Sequence, residues 1–453
     1  MMKKISTALV FATGIFFSCA NAQVVTLKKA EVKTPFGAVA IAVPDFSQCK
    51  TFLITDFGAV QGDKNKTSRA IAQAIDKASK ASGIVEVPPG EWLTGQIHFK
   101  SNVNLHLDSG AVLLFSENPN DYLPSVHSSW EGMECYNYSP LIYAYRCKNI
   151  ALTGKGEIKA KMDVWEQWFP RPSAHMESLK RLYNWAWNYT PVEQRQMVND
   201  TSHLRPQFIQ FNRSENILLE GIRITNSPFW TIHLYLAKNV TVRNLNVYAH
   251  GHNNDGVDPE MSQDVLIENC VFDQGDDAIA IKSGRNPEGW RLKTPSKNII
   301  IRNCTVKNGH QLVAIGSELS GGIENVFVDS CRVIDGAKLN HLIFIKTNER
   351  MGGYVQDIYA SNLQAGKIDS GVLGIETDVL YQWRTLVPTY ERRLTPIKNI
   401  YLTNISASDV QFVSKILGQK ELPVQNVSLE HITVGKTEEQ KHIHENVVGF
   451  KEN

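Results

Sequence analysis

The sequence lacks an excess of either charge, a zinc-binding cysteine pattern and, beyond its N-terminus, any apolar run of membrane-spanning length. Its 47 Lys and Arg residues balance 46 Asp and Glu residues, so the net charge of +1 provides no basic surface for a nucleic acid. The seven cysteines match no zinc-site spacing. We therefore expect no nucleic-acid partner, no metal, no cofactor and no transmembrane segment.

The N-terminus holds the one long apolar segment. A basic start precedes an apolar run from Ile5 to Phe17 and then the small-residue site Ala20-Asn21-Ala22. This pattern predicts a secretory signal peptide over residues 1–22 and export to the periplasm or the extracellular space. The sequence Phe-Phe-Ser-Cys19 loosely resembles a bacterial lipobox, so an outer-membrane lipoprotein anchored at Cys19 is the alternative.

A short repeat dominates the second half of the chain. Strict apolar alternation, without a helical pattern between strands, excludes the parallel sheet of a doubly wound fold. A ragged period of this size is typical of a solenoid with variable outer loops. The copies have the form Asn/Asp-apolar-x-apolar-x-x-apolar-x-apolar and start at Asn216, Asn239, Asp264, Asn298, Asn325, Asp357, Asn399 and Asn426.

The position six residues after each start is apolar in every copy. Stacked aliphatic side chains and thiols at one inward position are what the core of a parallel β-helix requires. We therefore predict an all-β, single-stranded parallel β-helix, with residues 23–453 as one domain and the thiols as buried apolar groups. The eight residues are Ile222, Leu245, Cys270, Cys304, Cys331, Leu363, Ile405 and Ile432.

One helix is predicted near the N-terminus. Residues 67–81 place Ala70, Ile71, Ala74, Ile75 and Ala78 on one helical stripe. A solenoid has open strand edges at its ends, which need a cover. We therefore expect this helix to cap the first coil; docking of a partner is the alternative.

Three carboxylates and a histidine lie at similar distances into consecutive repeats. Asp255 lies 16 residues after its start, Asp276 and Asp277 lie 12 and 13 after the next, and His310 lies 12 after the third. Neighbouring coils are about 4.8 Å apart, so these groups should crowd one face. Alone, Asn-Asp-Gly and Gly-Asp-Asp are common turn sequences. Their shared register predicts an acid/base site.

Such a set suits inverting hydrolysis of a glycosidic bond. One acid protonates the leaving oxygen, while carboxylates roughly 6.5–9.5 Å away activate water. Repulsion between Asp276 and Asp277 should raise the pKa of one member and keep a proton available. The spacing does not separate the roles of these two neighbours.

Four motifs in order resemble the polygalacturonases of glycoside hydrolase family 28, from about Phe52 to about residue 435. The resemblance implies a right-handed parallel β-helix that hydrolyses α-1,4-galacturonosidic bonds with inversion, with a pectic poly- or oligosaccharide as partner. The motifs are Asn253-Asn-Asp-Gly-Val-Asp-Pro259, Gly275-Asp-Asp277, Gly309-His310 followed by Ile315-Gly-Ser-Glu318, and Ile345-Lys346-Thr347.

The resemblance also implies catalytic roles. Asp276 would be the general acid, and Asp255 with Asp277 would position and deprotonate the attacking water. His310 would support the protonation state of the acid.

Substrate binding departs from the family. By the resemblance, Lys346 binds a substrate carboxylate and Asn253 holds the turn of Asp255. Phe344 replaces the Arg of the family's Arg-Ile-Lys, so one cation for a uronate is missing, and Gln311 replaces the second Gly of Gly-His-Gly. Four cations are candidates to replace the missing Arg: Lys282, Arg285, Arg291 and Arg350. The alternative is that each is a solvated charge at the end of a strand.

The repeat breaks down in an insertion over residues 160–207. Its aromatic rings either form a satellite core or close one end of a sugar cleft and stack on pyranose rings. The insertion resembles the exo-acting bacterial branch of the family, which favours attack from the non-reducing end. In that branch Lys282–Arg285 is a candidate to capture the terminal carboxylate, and Tyr381 to line the floor. The rings are Trp165, Trp168, Phe169, Tyr183, Trp185, Trp187 and Tyr189.

Other functions share the predicted fold. A pectate or pectin lyase would need a basic residue, and commonly calcium, for β-elimination. A non-catalytic carbohydrate-binding β-helix or adhesin would not need three carboxylates in register. Within hydrolysis, the missing arginine leaves rhamnogalacturonan or xylogalacturonan as the alternative backbone.

Overall fold

The computed structural model describes residues 24–199, 202–379, 386 and 391–453. Apart from two antiparallel hairpins, its strands pair in parallel with strands of the neighbouring coils. The chain is a right-handed parallel β-helix, as predicted. The predicted signal peptide over 1–22, Cys19 and Tyr381 lie outside the described residues.

Two long sheets run along the axis. The first, which we call the site sheet, takes one strand from each coil: Ile97–His98, Ile142–Tyr145, Ile209–Asn212, Ile232–Tyr235, Val257–Glu260, Ile279–Ile281, Gln311–Gly316, His341–Lys346, Gly371–Glu376, Phe412–Leu417 and His442–Glu445.

The second, which we call the outer sheet, forms the rest of each coil. Its strands are Lys50–Leu53, Gly83–Val87, Gly90–Thr94, Val103–Leu107, Ala111–Phe115, Lys148–Gly154, Glu157–Ala160, Glu215–Glu220, Arg223–Thr225, Lys238–Arg243, Asn246–Ala249, Gln263–Glu268, Val271–Gln274, Ser296–Arg302, Thr305–Asn308, Ile323–Asp329, Arg332–Val333, Val355–Ala365, Ile397–Val410, Val424–Thr437 and Val447–Glu452.

Helices are few. The α-helices are α1 (Lys64–Ala81), α2 (Asp163–Glu166), α3 (Ser173–Trp187) and α4 (Pro287–Leu292), and the 3-10 turns are Ile54–Phe57, Pro119–Tyr122 and Val192–Gln194. Across the described ranges, none of the helices combines the length and the apolar character that crossing a bilayer requires.

The residue that starts each repeat makes a tight turn. All eight starts have a positive φ, between 52° and 61°, a conformation that Asn and Asp tolerate better than other side chains. Their amides form ladders, since each Asn donates to the side-chain oxygen of the start before it, as Asn298 does to Asp264 at 2.8 Å. Asp264 and Asp357 lack an amide donor, so the ladder is divided at these two positions.

The shared interior position is buried, as predicted. Seven of its eight side chains are 0–2% exposed, and Ile432, in the last coils, is partly buried. The thiols of Cys270, Cys304 and Cys331 are free and stacked, with the Cys304 N–H 3.4 Å from the Cys331 sulfur. They therefore serve as small core side chains.

Helix α1 covers the first coil, as predicted. It begins at Lys64, where the Asp63 carboxylate caps it by accepting from the Lys66 N–H at 3.0 Å. Its predicted alanine and isoleucine stripe is buried in the main core. The alternative of a partner docking on that stripe is therefore wrong.

The structure contains two hairpins that the sequence repeat did not predict. The N-terminal hairpin, Thr26–Thr34 with Gly37–Asp45, packs Val39 and Ile41 on the outside of the outer sheet. The cleft hairpin, Val126–Trp130 with Met133–Asn137, lies over the site sheet. Ser128 Oγ is 3.0 Å from Gln210 Oε1, and the Asn212 amide donates to the His127 carbonyl at 2.9 Å. The cleft hairpin therefore covers the strand Ile209–Asn212, two coils before the coil of Asp255.

Candidate active site

A cavity of about 500 Å³ opens on the outward face of the site sheet. It gathers eight of the ten predicted site residues that the structure describes, all but Arg291 and Arg350. Its lining is Glu131, Arg171, Trp230, His252, Asn253, Asp255, Asp276, Asp277, Lys282, Arg285, His310, Gln311, Ser317, Glu318, Asn340, His341, Phe344, Lys346 and Ser370. Arg350 is absent from this lining; its carbonyl accepts from the Asn286 amide at 2.6 Å instead.

The carboxylates stack in consecutive coils, as their spacing predicts. The Gly256 N–H donates to the Asp277 carbonyl at 3.0 Å, which places Asp255 beside Asp277. The His310 N–H donates to the Asp276 carbonyl at 2.9 Å, which places His310 beside Asp276. Asp255 and Asp277 are buried, whereas Asp276 and His310 are partly open to the cleft.

Two lysines neutralise the buried carboxylates. Lys346 Nζ donates to Asp277 Oδ2 at 3.1 Å. Lys282 Nζ lies 3.4 Å from Asp255 and 3.7 Å from Glu318. Burial alone would lower the pKa of Lys282, but these carboxylates outweigh it and raise that pKa well above its ordinary value. Lys282 therefore stays charged inside the site.

The pKa values of the carboxylates diverge. Burial, reinforced by Asp276, raises the pKa of Asp255 to about 7. Burial, opposed by Lys346, also raises the pKa of Asp277. Burial would raise that of Asp276 too, but the hydrogen bond with His310, 3.0 Å from Nδ1 to Oδ1, lowers it. The pKa values of the adjacent pair diverge, but burial is the main cause and Asp277 is the raised member; the expected acid, Asp276, has the lowered pKa.

His310 holds the proton that Asp276 lacks. The hydrogen bond with Asp276 raises the pKa of His310 above its ordinary value. The imidazole N–H therefore lies within hydrogen-bond distance of the carboxylate that faces the cleft. The two groups together carry one transferable proton.

Asp258 belongs to the site and was not predicted. It is fully buried, 3.6 Å from Lys282 Nζ, and burial together with the charge of Asp255 raises its pKa well above its ordinary value. The strand Val257–Glu260 carries two acidic residues although it is wholly buried, and this burial is known only from the structure. Burial and the charge of Asp255 thus favour the protonated form of Asp258.

The turn before Asp255 is held by both asparagines. Asn253 has φ 60° and accepts from Arg171 at 3.0 Å. Asn254 anchors the turn, because its amide donates to the Ser227 and Phe229 carbonyls at 2.8 and 3.1 Å. Arg171, an insertion residue that was not predicted, thus reaches the catalytic turn.

The candidate cations differ in their surroundings. Lys282 and Arg285 are buried in the cavity wall, so their interpretation as solvated strand-end charges is wrong. Arg285 pairs with Glu318, and its Nε donates to the Glu131 carbonyl at 2.9 Å. Arg291 is bonded to Glu134 and Glu288, outside the cavity lining.

The rings of the insertion do not stack on a sugar. None of the seven lines the cavity. Trp165 is buried in the main core, Tyr183 lies in a satellite core, and Trp187 contacts Trp290 at 6.0 Å. The satellite-core interpretation holds for Tyr183 and Trp185 only, because Trp165, Trp168 and Phe169 pack in the main core and Tyr189 is exposed. The wall itself is formed by Arg171 and by Glu131 of the cleft hairpin.

The tip of the cleft hairpin is fastened to the cavity wall. The Arg285 N–H donates to the Gly132 carbonyl at 3.1 Å. A Cβ at Gly132 would lie 2.7 Å from the Arg285 nitrogen, so only glycine permits this approach, at φ 85°. The cavity is thus closed on the side of the earlier coils.

Asp276, Asp277 and His310 also offer ligand atoms within 4.8 Å of one another, as a cation site would. However, His310 is hydrogen-bonded to Asp276 and the Lys346 ammonium to Asp277. An ammonium already supplies the positive charge there, and the arrangement suits proton transfer better.

A larger groove of about 860 Å³ lies beside the N-terminal hairpin. Its charges are paired, for example Lys28 with Asp45 at 2.7 Å and Arg243 with Glu220 at 2.7 Å. It lacks the crowded carboxylates that distinguish the smaller cavity.

The raised pKa of Asp255 has a consequence for stability. Its folded pKa of about 7 exceeds the ordinary 3.8, so stability falls as pH rises from about 4 to about 7. Asp255→Asn should therefore stabilise the protein above pH 7, on the order of 4 kcal/mol, with little gain below about pH 4. Melting temperatures at both pH values test this. The exposed control Asp335→Asn should change neither, and an Asp255→Asn gain independent of pH would contradict the argument.

Comparison with known proteins gives consistent matches. The family model "Glycosyl hydrolases family 28" matches residues 189–450. A hyperthermoactive exopolygalacturonase from Thermotoga maritima has 33% identity and a TM-score of 0.83, covering 91% of this chain and 94% of that one. A "Probable polygalacturonase" of Vitis vinifera is 26% identical over 399 residues, 84% of this chain and 73% of that protein. An exo-poly-alpha-D-galacturonosidase of Dickeya chrysanthemi is 26% identical over 62% of this chain and 50% of its own length.

Proposed function

This chain belongs to glycosyl hydrolase family 28, and we propose that it hydrolyses the α-1,4-galacturonosidic bonds of pectin with inversion, releasing galacturonate from the non-reducing end. It is a polygalacturonase-like glycosidase. The observation that carries the proposal is the placement of Asp255 and Asp277 beside one another, with the Asp276–His310 pair next to them.

The geometry supports two tasks for these groups. Asp255 and Asp277 orient a water molecule, and Asp255, with a pKa of about 7, can accept its proton near neutral pH. Asp276 faces the cleft and protonates the leaving oxygen, with the proton supplied through His310. Lys282 and Lys346 hold the buried carboxylates in place. The activated water attacks the anomeric carbon directly, on the face opposite the leaving oxygen, and this single displacement inverts the configuration.

The closed end of the cavity supports exo-action. The cleft hairpin covers the strand Ile209–Asn212, two coils before that of Asp255, and its tip is fastened to Arg285. Lys282, Arg285 and Arg171 place three cations at this end. A terminal uronate carboxylate is the substrate group that they fit, whereas a longer chain would collide with the hairpin.

The test is a time course of products from oligogalacturonides labelled at the reducing end. We expect free galacturonate alone from the start, with the label retained in the shortened chain. Mixed short oligomers would contradict exo-action while leaving hydrolysis in place. Unsaturated products that absorb ultraviolet light would indicate a lyase and overturn the proposal.

A variant of the hairpin tip tests the closed end directly. Gly132→Ala should raise KM for oligogalacturonides roughly ten-fold with a smaller change in kcat, since it displaces the wall and not the carboxylates. Gly336→Ala is the matched control, because Gly336 has a similar φ of 79° with no heavy atom within 4 Å of its Cβ position. Equal effects of the two variants would show that backbone strain alone is responsible.

We also propose that the protein is exported. The proposal rests on the apolar run and small-residue site within residues 1–22. The mass of the mature N-terminus separates cleavage before Gln23 from a lipid-modified Cys19.

A further inference from the structure

The two ends of the cavity differ in charge. The closed end holds Arg171, Lys282 and Arg285 together with Glu131 and Glu318. The open end, beyond the catalytic carboxylates, is lined by uncharged side chains among the described residues: Gln311, Asn340, His341, Phe344 and Ser370. The sugars on the two sides of the scissile bond therefore meet different environments.

An aromatic pair forms the floor of the open end. The rings of His341 and Phe344 are parallel within 6°, with centroids 4.5 Å apart. Burial lowers the pKa of His341 to about 3, so the imidazole is neutral, and its Nδ1 lies 3.0 Å from Gln311 Oε1. A Cβ at Gly374 would lie within 2.8 Å of both rings, so the glycine of the next coil leaves room for them.

Two lysines lie near this end, and each already pairs with a carboxylate. Lys415, which after burial is the next cause of the lowered pKa of His341, lies 3.0 Å from Glu376. Lys346 Nζ donates to Asp277 at 3.1 Å and lies 5.9 Å from the centre of the Phe344 ring. Its charge is thus directed towards the catalytic carboxylates. A carboxylate held over the aromatic floor would lose hydration, and to gain an ion pair it would have to draw a lysine away from Glu376 or Asp277, which is costly.

We propose that this open end is the subsite for the leaving sugar and that it prefers a sugar without a charged carboxylate, either a methyl-esterified galacturonate or a neutral deoxyhexose such as rhamnose. The preference rests on the proposed function, because it requires a terminal galacturonate at the closed end. The apolar ester methyl or deoxy methyl group packs on the rings of Phe344 and His341. The enzyme would thus act where a charged sugar precedes an uncharged one.

The experiment compares three substrates that share a non-reducing galacturonate. They are digalacturonate, digalacturonate methyl-esterified only at the reducing-end sugar, and galacturonosyl-rhamnose. We expect kcat/KM to be at least about ten-fold higher for the ester than for the diacid. Preference for the ester alone identifies methyl-esterified galacturonan as the substrate. Preference for the rhamnoside identifies a backbone in which galacturonate and rhamnose alternate. Equal or faster cleavage of the diacid would overturn the inference.

Variants at Phe344 make the test independent of folding. Phe344→Arg adds a cation to the floor and should reverse the ratio of kcat/KM between ester and diacid, more strongly at low salt. Phe344→Leu adds no charge and should keep the wild-type preference. The ratio within one preparation is unaffected by the fraction of active enzyme. Reversal in both variants, or in neither, would overturn the role of this residue.

The two proposals fail in different ways. If wild-type protein cleaves the diacid and not the neutral-aglycone substrates, the proposed function stands and the subsite inference is wrong. If folded wild-type protein cleaves none of the three, the proposed function is wrong and the subsite inference falls with it.

Discussion

Asp276→Asn should lower kcat on oligogalacturonides by roughly 10²–10⁴-fold while leaving the melting temperature close to that of the wild type. The amide cannot donate a proton as an acid does, whereas its size and its position facing the cleft are conserved. Asp276 is partly exposed and its carboxylate contacts His310, so folding depends little on its charge. Initial rates at saturating substrate measure the effect.

The nature of the leaving group separates acid catalysis from other roles of Asp276. A nitrophenyl α-galacturonide has a leaving group that departs without protonation, so Asp276→Asn should lose much less activity on it. Asp273→Asn is the control, because Asp273 lies on the preceding strand, bonded to His250 at 2.7 Å, outside the cavity lining. The same large loss on both substrates, or near-normal turnover on both, would remove Asp276 from the acid role.

Lys282→Met should destabilise the protein by about 3–5 kcal/mol at neutral pH, because it leaves buried carboxylates without their cation. Lys282 is 5% exposed and lies 3.4, 3.6 and 3.7 Å from Asp255, Asp258 and Glu318. Activity should fall as well, since the Asp255 carboxylate would then be protonated near neutral pH. Urea unfolding and rate measurements on the same preparation test both effects.

The loss caused by Lys282→Met should depend on pH. Without the ammonium, the pKa values of the carboxylates in the folded protein rise further above their values in the unfolded chain. Stability is therefore lost as pH rises from the unfolded to the folded pKa values, and it is recovered at lower pH. Lys297→Met is the matched control, because Lys297 pairs with Glu324 at 2.8 Å at a partly exposed position. That pair should contribute less than about 1 kcal/mol. Equal losses in the two variants would exclude a special role for the buried cation.

The repeated parts of the fold could be predicted because the same physical requirement recurs in each coil. A left-handed turn residue and an inward apolar side chain return at fixed offsets, as at Asn298 and Cys304, so a single sequence carries several independent copies of the signal. The same offsets placed Asp255, Asp276, Asp277 and His310 on one face. The cleft hairpin has no second copy, and its contacts with Arg285 are invisible to any periodicity.

The site residues whose role was not predicted depend on contacts in the folded chain that no repeat in the sequence reveals. Glu131 and Arg171 come from segments outside the repeat, and they reach the cavity only through the path of the folded chain. Asp258 stood within a recognised motif, yet its importance depends on complete burial beside Asp255, which spacing does not reveal. Lys282 was identified as a cation for the substrate, whereas its three carboxylate neighbours also make it part of the catalytic framework.

Because the asparagine ladder is interrupted, neighbouring coils of the solenoid are not all coupled equally strongly. Asn298 and Asn325 each donate to the start before them, at 2.8 and 3.0 Å, but Asp264 and Asp357 can only accept. In an array whose units contact only their neighbours, cooperativity weakens first where a coupling is missing. The block from Asp264 to Asn325, which carries Asp276, Asp277 and His310, is therefore bounded on both sides by such junctions. A fraying end would stop at a junction before it reached these residues.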